Sequence, residues 1–333
     1  MFRVVTRITT GAFRPIDSLV LGYTFNSGRA RRESRRLLVS RSFPTENKNM
    51  RNRVLAFAVA VGVAACSGGS GDAPSCITTA TCPDTTGGGG GGGGGTVTTG
   101  FVSKTFVDAG TTRGYQVFIP ANYNSASVTK VPVILFLHGS GEQGTDNVKQ
   151  TNVGLGPVVK AQAATFPAIV VFPQTPQADV IGNVAVDRIF ATPLAITLAE
   201  YTKADTKRVY LTGLSLGGIH AYDVAYAAPT TFAAIVPISA TICEQCVTGN
   251  NSATFTQGVN VVVPALKTVP IWQFHGQLDP NVPVTEDRQI AQAFQNAGAT
   301  SDKYTEYAGA GHEIWDMVYA DASMWTWLWA KTK

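Results

Sequence analysis

The stretch "RVYLTGLSLGG", residues 208–218, places Ser215 between two glycines, directly after an apolar run that predicts a β-strand. The residues from Ser215 to Ala227 predict a helix, so the serine lies at a strand-to-helix turn. Gly213 and Gly217 lack Cβ atoms, which permits a sharp turn and a close approach of the helix to the strand. The pattern is typical of a nucleophile elbow, but a plain glycine-rich connection is an alternative, and the rest of the sequence decides between them.

Strand and helix patterns alternate through more than 200 residues around this turn. Residues 131–139 form an almost continuous apolar run, as expected for a strand that is covered on both faces of a sheet. The other segments are strands at 114–120, 166–174, 207–213, 232–239, 270–276 and 302–309, and helices at 187–203, 215–227, 286–297 and 321–331. This order predicts an α/β fold with a mostly parallel sheet, helices on both of its faces and a single catalytic domain.

A serine hydroxyl becomes an effective nucleophile only when a base removes its proton, so a histidine is required. Of the four histidines, His138 ends a predicted strand, His275 lies inside one, and His220 lies in a predicted helix. His312 lies in the loop "AGAGHEIWD", after the last predicted strand. An isolated loop histidine is more often a surface residue, but a hydrolase with the chain order Ser, acid, His needs a histidine at this place.

The acid of such a site must lie between the serine and the histidine, after a strand. Asp279 in "IWQFHGQLDPNVPV" follows a predicted strand, and Pro280 keeps it out of the helical region. An Asp-Pro pair is otherwise a common turn former. Asp223 and Asp287 fall within predicted helices and Asp302 begins a predicted strand, so these three fit the role less well.

Backbone N–H groups that hold the negative oxygen of a reaction intermediate are the fourth requirement. The N–H of Leu216, directly after the serine, is one expected donor, and the loop "HGSGEQG", residues 138–144, supplies the other. Within that loop we predict the N–H of Ser140. The alternative is a glycine-rich turn that positions His138 for packing, but the loop lies where the mechanism needs a donor.

Four separated segments resemble the α/β-hydrolase superfamily in their order along the chain: "LFLHGSGEQGTDN", "RVYLTGLSLGG", "PIWQFHGQLDPNVPV" and "GAGHEIWD". Within it, the chain is similar to secreted esterases grouped with polyhydroxybutyrate depolymerases, feruloyl and acetyl xylan esterases, and proteins labelled predicted peptidases or phospholipase/carboxylesterases. The resemblance extends from about residue 114 to residue 333. It implies a triad of Ser215, Asp279 and His312, with Ser140 and Leu216 as oxyanion donors.

These features predict a serine esterase that cleaves carboxylic esters through an acyl-enzyme and needs neither a metal ion nor an organic cofactor. The insertion at 241–269 is rich in Thr, Asn and Gln in its first half, which favours a carbohydrate-linked, polyester or small soluble ester over bulk lipid. Trp272 and Trp315 are candidate walls of an aromatic acyl pocket, but Trp272 on its strand fits the core equally well. Two alternatives stay open: a serine peptidase of the prolyl-oligopeptidase-like group, and a non-catalytic surface lipoprotein that uses the fold for binding.

The segment "RNRVLAFAVAVGVAAC", residues 51–66, has the positive start, short apolar stretch and small residues of a secretory signal, and "VAAC" resembles a bacterial lipobox. Its apolar stretch is too short to span a bilayer, and a core helix is the alternative. We therefore expect a cell-envelope lipoprotein, periplasmic or on the surface, or a secreted protein. The expected parts are a disordered leader, or residues before the true start, at 1–49, a signal peptide at 50–65, a Gly/Ser/Thr-rich tether at 66–99 that begins with lipidated Cys66, and the catalytic domain at 100–333.

The expected export affects both the net charge and the state of the cysteines, because it removes residues 1–65 and places the protein in an oxidising compartment. The chain has 26 basic and 22 acidic residues, of which residues 1–65 hold twelve and three. The remaining 14 basic and 19 acidic residues give a net charge of −5, which offers no basis for nucleic-acid binding. In an oxidising compartment the local disulfides Cys76–Cys82 and Cys243–Cys246 are the simplest pairings, and a four-cysteine metal site is less favoured. The oligomeric state is not predicted.

Overall fold

A sheet of eight strands forms the centre of the computed structural model, which describes residues 96–176, 184–248 and 253–333. The strands are Gly100–Asp108 (β1), Thr111–Ile119 (β2), Val131–Leu137 (β3), Ile169–Pro173 (β4), Ala204–Leu214 (β5), Ala234–Ile238 (β6), Trp272–Gly276 (β7) and Lys303–Tyr307 (β8). They lie in the order β1-β2-β4-β3-β5-β6-β7-β8. β2 pairs antiparallel with both β1 and β4, and the other neighbours pair in parallel, which confirms the predicted α/β fold.

Helices cover both faces of this sheet. In the described part of the chain they are Leu155–Ala161 (α1), Val184–Glu200 (α2), Leu216–Ala227 (α3), Glu244–Thr248 (α4), Phe255–Leu266 (α5), Val284–Asn296 (α6), Trp315–Ala320 (α7) and Ala322–Trp329 (α8). Side chains of α2, α3, α5 and α6 pack in one core layer, and side chains of α1, α7 and α8 pack in a second. Each helix in these described segments is too short or too polar to span a bilayer.

Strand β3 shows why the central sequence is apolar without alternation. Successive side chains of a strand point to opposite faces, and here Leu135 lies in the first core layer while Phe136 lies in the second. Both side chains are fully buried. A strand covered on both faces has no solvent side, so polar residues have no place along it.

The predicted strands and helices agree with the observed ones to within three residues at each end. β1 and the helices α1, α4, α5 and α7 were not predicted from the sequence. α5 lies in the insertion at 241–269, whose first half is rich in polar residues. It begins with a capping box between Thr254 and Gln257 and buries Val259, Val262 and Leu266. The predictions for the leader, signal peptide, Cys66, Cys76, Cys82 and most of the tether lie outside the described residues.

Candidate active site

Ser215 lies at a sharp turn between β5 and α3. Its φ is 53° and its ψ is −120°, in a region that residues with a side chain rarely adopt. The turn is held by the N–H of Ser215, which donates to the carbonyl oxygen of Ile238 over 2.9 Å. A Cβ at Gly213 would overlap the carbonyl of Gly217, and a Cβ at Gly217 would overlap the carbonyl of Leu137. Both glycines are therefore required for the close approach that the sequence predicted.

The structure brings the three predicted side chains together at the carboxyl edge of the sheet. Nε2 of His312 lies 2.8 Å from Oγ of Ser215, and Nδ1 of His312 lies 2.7 Å from Oδ2 of Asp279. Ser215 follows β5, Asp279 follows β7 and His312 follows β8. Because these strands run parallel, their carboxyl ends meet at one edge, which is where such folds place their ligands.

The hydrogen bonds of Asp279 fix the tautomer of His312. Oδ1 of Asp279 accepts from the N–H of Asn281 over 2.8 Å and from the N–H of Val282 over 3.0 Å. Burial by itself would raise the pKa of Asp279, but the hydrogen bonds from His312, Val282 and Asn281 outweigh it and lower this pKa. An ionised carboxylate only accepts hydrogen bonds, so the proton of a neutral His312 lies on Nδ1, and Nε2 is free to accept the Ser215 proton.

The exposed part of the site is the part formed by Ser215 and His312. The side chain of Asp279 is fully buried, the side chain of His312 is 11% exposed, and Ser215 is half-buried. A substrate can therefore reach the hydroxyl and the imidazole, but it cannot reach the carboxylate behind them.

Two residues outside the triad support His312: Ser239, which the sequence patterns did not indicate, and Trp315, a predicted candidate for the acyl pocket. Oγ of Ser239, the residue after β6, donates to the backbone carbonyl of His312 over 2.7 Å. The ring of Trp315 stands at 90° to the His312 imidazole, with 5.7 Å between the ring centres. Ser239 follows the strand that neighbours β5, and this position was the signal that could have identified it. Trp272, the other candidate for the acyl pocket, is instead buried in the core, which was the alternative for it.

The two predicted oxyanion donors both open helical segments. Leu216 is the first residue of α3, and Ser140 is the first residue of a 3-10 helix, Ser140–Glu142, just after β3. The first N–H groups of a helix have no acceptor within it, so both are suited to bind an anion. Their catalytic role stays a prediction.

His138 supports the loop that contains Ser140. Its Nε2 accepts from the backbone N–H of Thr175 over 3.1 Å, so the ring proton lies on Nδ1 and is donated to the carbonyl of Gly139 over 2.6 Å. Burial lowers the pKa of His138 to about 4, which keeps the ring neutral. The packing interpretation of His138 and the oxyanion interpretation of the loop are therefore compatible.

Two of the aspartates considered as the triad acid contact the other buried histidines, His220 and His275. Nδ1 of His220 lies 2.9 Å from Asp187 and 3.3 Å from Asp223. Nδ1 of His275 lies 2.9 Å from Asp287. Asp223 and Asp287 are thus engaged with histidines other than His312, as expected from their positions on helices α3 and α6.

Among the residues that the structure describes, two groups of side chains come close enough to be considered as metal ligands. In the first, Asp187, His220 and Asp223 place their ligand atoms within 4.8 Å of one another. The direct contact between His220 and Asp187 fits an ion pair, because a metal ion would lie between the two atoms. In the second, Asp223 approaches Cys243 and Cys246, but these cysteines form the predicted disulfide, and disulfide sulfurs lack the thiolate that binds metals.

The fold is that of the α/β-hydrolases, and Ser215, His312 and Asp279 have the mutual arrangement of a serine hydrolase triad. Residues 194–329 match a family described as phospholipase/carboxylesterase. No curated protein sequence matches the chain.

Among solved structures, the chain is similar to a thermostable esterase, with 27% identity, a TM-score of 0.55 and coverage of 70% of this chain. The chain spans 63% of the length of that esterase. It also resembles FphF, a fluorophosphonate-binding serine hydrolase from Staphylococcus aureus, with 14% identity, a TM-score of 0.52 and coverage of 68% of this chain and 98% of the other. The feruloyl esterase module from Clostridium thermocellum has 18% identity, a TM-score of 0.48 and coverage of 66% and 85%. The predicted resemblance to the α/β-hydrolase esterase group is confirmed.

Proposed function

We propose that this chain is an esterase that hydrolyses carboxylic esters through an acyl-enzyme formed on Ser215. The observation that carries the proposal is the unbroken set of contacts from the serine hydroxyl to His312, 2.8 Å, and from His312 to Asp279, 2.7 Å. A general base must lie within hydrogen-bond reach of the proton it removes, and His312 does.

The first half-reaction forms the acyl-enzyme. The Ser215 hydroxyl attacks the ester carbonyl while Nε2 of His312 takes its proton. Asp279 stabilises the imidazolium that results, because its ionised carboxylate already accepts a hydrogen bond from the N–H at Nδ1. The N–H groups of Leu216 and Ser140 receive the negative oxygen, and each such donor contributes about 100- to 1,000-fold to the rate. His312 then gives its proton to the departing alcohol, and the C–O bond of the ester breaks.

The second half-reaction uses the same groups with water. His312 removes a proton from a water molecule that attacks the acyl carbonyl, and it returns the proton to Oγ of Ser215 as the carboxylic acid leaves. The two steps together consume one water and one ester and regenerate the free serine.

A cavity that shares Trp315 with the site, but that no triad or oxyanion residue lines, favours a small or polymer-linked ester as the substrate. It has a volume of about 460 Å³ and lies between α1 and α7. Its walls include Val153, Pro157, Val158, Trp315 and Tyr319. Trp315 is shared with the site, because its ring also contacts His312. A cavity of this size accommodates one acyl or aryl group, and its mixed rim, with Asn152 and Asp316, suits a soluble ester better than a bilayer lipid.

We also propose that the protein is exported and anchored through a lipid on Cys66. The support is the lipobox-like "VAAC" followed by a tether with nine consecutive glycines, 87–95. Metabolic palmitate labelling in a bacterial host is expected for the wild type and is expected to be lost in Cys66→Ala. Labelling that persists in this variant, or that is absent from the wild type in its native host, would contradict the anchor.

The substrate class is tested with a panel of p-nitrophenyl esters, methyl ferulate, acetylated xylan, short polyhydroxybutyrate and peptide anilides. We expect hydrolysis of at least one ester by the wild type, none by Ser215→Ala, and negligible cleavage of the anilides. Anilides as the best substrates would support a peptidase instead. Hydrolysis of no member of the panel would support a binding protein.

A further inference from the structure

Behind the acid of the triad lies a second histidine that the mechanism above does not use. His275 is on β7, four residues before Asp279, and it is fully buried. Its Nε2 lies 3.2 Å from Oδ2 of Asp279, the same oxygen that accepts the Nδ1 proton of His312. A ring nitrogen of His275 is therefore in direct contact with the triad carboxylate.

The neighbours of His275 determine which of its nitrogens carries a proton. Nε2 also lies 3.2 Å from the carbonyl oxygen of Val282, which can only accept a hydrogen bond, so Nε2 carries a proton. Nδ1 lies 2.9 Å from Oδ2 of Asp287, which is buried as well. The proton between these two atoms can lie on either of them, but Nε2–H is present in both cases.

Asp287 is held in place by one further contact. The side-chain amide of Gln273, on the same strand as His275, donates to Oδ1 of Asp287 over 2.6 Å. Burial raises the pKa of Asp287. Burial opposes the charged form of His275, but Asp287 and Asp279 outweigh it and raise the pKa of His275. Both observations agree with one proton shared inside the His275–Asp287 pair.

The shared proton has an electrostatic consequence. Whether the pair is imidazolium with carboxylate or imidazole with carboxylic acid, its net charge is zero. It therefore places an N–H group beside Asp279 while the charge of the pair as a whole stays zero. An imidazolium without the Asp287 carboxylate beside it would weaken the hold of Asp279 on the imidazolium of His312, and the neutral pair reduces this cost.

The pair also controls the loop that carries Asp279. The carbonyl of Val282 accepts from His275, and the N–H of the same residue donates to Oδ1 of Asp279. Val282 thus links Oδ1 of the carboxylate to the same buried ring whose Nε2 approaches Oδ2. If the ring is removed, the loop loses two contacts, one at Asp279 and one at Val282.

We propose that His275, clamped by Asp287, is a positioning residue that orients the Asp279 carboxylate toward His312 and thereby sustains the esterase reaction proposed above. His275 does not touch the substrate side, so it acts on the reaction only through Asp279. The inference rests on the proposed function for its kinetic consequence, but the geometry that it predicts can be measured without any substrate.

The test compares three variants at the pair. His275→Gln keeps an amide N–H near the position of Nε2, and His275→Leu removes the donor. The double variant His275→Leu/Asp287→Leu also removes the carboxylate that the single change leaves buried without its partner, which protects the test against a failure to fold. His220→Leu is the control, because His220 is an equally buried histidine that pairs with aspartates away from Asp279.

With the best ester of the panel, kcat is expected to fall about 10- to 100-fold in His275→Leu and in the double variant, the effect of losing one contact to a charged group. KM is expected to change less than about twofold, because none of the altered groups contacts substrate. His275→Gln is expected to retain most of the kcat, and His220→Leu is expected to lose stability without losing kcat. Equal kcat for Gln and Leu at position 275, or an equal loss in His220→Leu, would overturn the proposal.

A second measurement is independent of activity. The proton shared by Nδ1 of His312 and Asp279 is expected to give a low-field proton NMR signal in the wild type, in His275→Gln and in His220→Leu. The signal is expected to move or broaden in the double variant, because Asp279 is no longer held. An unchanged signal in the double variant would overturn the positioning role, whereas absence of ester hydrolysis with the expected NMR changes would overturn only the proposed function.

Discussion

Two clusters of histidine and aspartate in this molecule have nearly the same contact distances but opposite surroundings. At the carboxyl edge of the sheet, Nδ1 of His312 lies 2.7 Å from Asp279, and Nε2 meets the Ser215 hydroxyl. Between helices α2 and α3, Nδ1 of His220 lies 2.9 Å from Asp187, and Nε2 is buried without a hydrogen-bond partner among the described residues. A histidine-aspartate pair is therefore not in itself a catalytic feature, and what the second nitrogen meets decides its use.

Burial separates the two clusters further. The His220 side chain is 1% exposed, and its two aspartates raise its pKa to about 9 against the opposing effect of burial. With this raised pKa the ring is protonated at neutral pH, so it cannot act as a general base. His312 is partly exposed, and its Nε2 faces a hydroxyl that can give up a proton.

The largest expected effect distinguishes the two histidines directly. His312→Ala is expected to lower kcat by about 10⁶-fold, because no other group can take the Ser215 proton. His220→Ala is expected to lower the Tm and to leave kcat within about twofold of the wild type. Ester hydrolysis and calorimetry measure the two quantities. A similar loss of kcat in both variants would show that the two histidines do not differ in their importance for catalysis.

The next effect concerns the acids of the two clusters. Asp279→Asn is expected to lower kcat by about 10⁴-fold, because an amide can donate to Nδ1 and stabilise the wrong tautomer of His312. The matched change Asp223→Asn in the other cluster is expected to alter kcat less than about twofold. Initial rates at saturating ester check both. Activity that survives in Asp279→Asn would require another acid.

The disulfide lies on the side of the His220 cluster, because its sulfur atoms come within 4.8 Å of the Asp223 carboxylate. The double change Cys243→Ser/Cys246→Ser is expected to cost about 2 kcal/mol of stability, as estimated for a very short closed loop, and to leave kcat unchanged. Thermal unfolding with and without reductant measures the loss. A drop in kcat with an unchanged Tm would place the disulfide in the active site instead.

The smallest effect concerns a carboxylate that has no histidine. Oδ1 of Asp302 is buried without a hydrogen-bond partner among the described residues, and burial together with the charge of Asp287 raises the pKa of Asp302 to about 7. Since the folded pKa exceeds the unfolded one, the contribution of this group to stability is complete below about pH 4 and is lost as the pH rises through about 7. Asp302→Asn is expected to raise stability at pH 8 by about 1 kcal/mol, after allowance for partial exposure, and to have little effect at pH 4. Denaturant unfolding at both pH values measures the two changes in stability. A gain in stability that is larger at pH 4 than at pH 8 would contradict the raised pKa of Asp302.

The elbow was predictable from sequence because its requirements are local. The glycines at 213 and 217 are needed by contacts within a few residues of Ser215 or with the adjacent strand, and the pattern records that need. Asp279 and His312 were predictable from chain order, since each follows a strand and parallel strands end at one edge. The hydrogen bonds among the three side chains then follow from the sheet order rather than from any spacing in the sequence.

The contacts of His275 were not predictable in this way. His275 and Asp287 are twelve residues apart on β7 and α6, and nothing in either pattern specifies that these side chains face each other. The missed strand β1 lies at the edge of the sheet with most residues partly exposed, so its apolar signal is weak. In α5, the capping-box spacing of Thr254 and Gln257 was present in the sequence but was outweighed by the polar composition of the insertion.

The central claim is that the Ser215 hydroxyl is an activated nucleophile. The most direct test is to treat the folded protein with a fluorophosphonate and to identify the modified residue by peptide mass spectrometry. The account predicts a single adduct on Ser215, which is absent from Ser215→Ala at an unchanged Tm. A folded wild-type protein that forms no adduct, or an adduct that persists in Ser215→Ala, would contradict it.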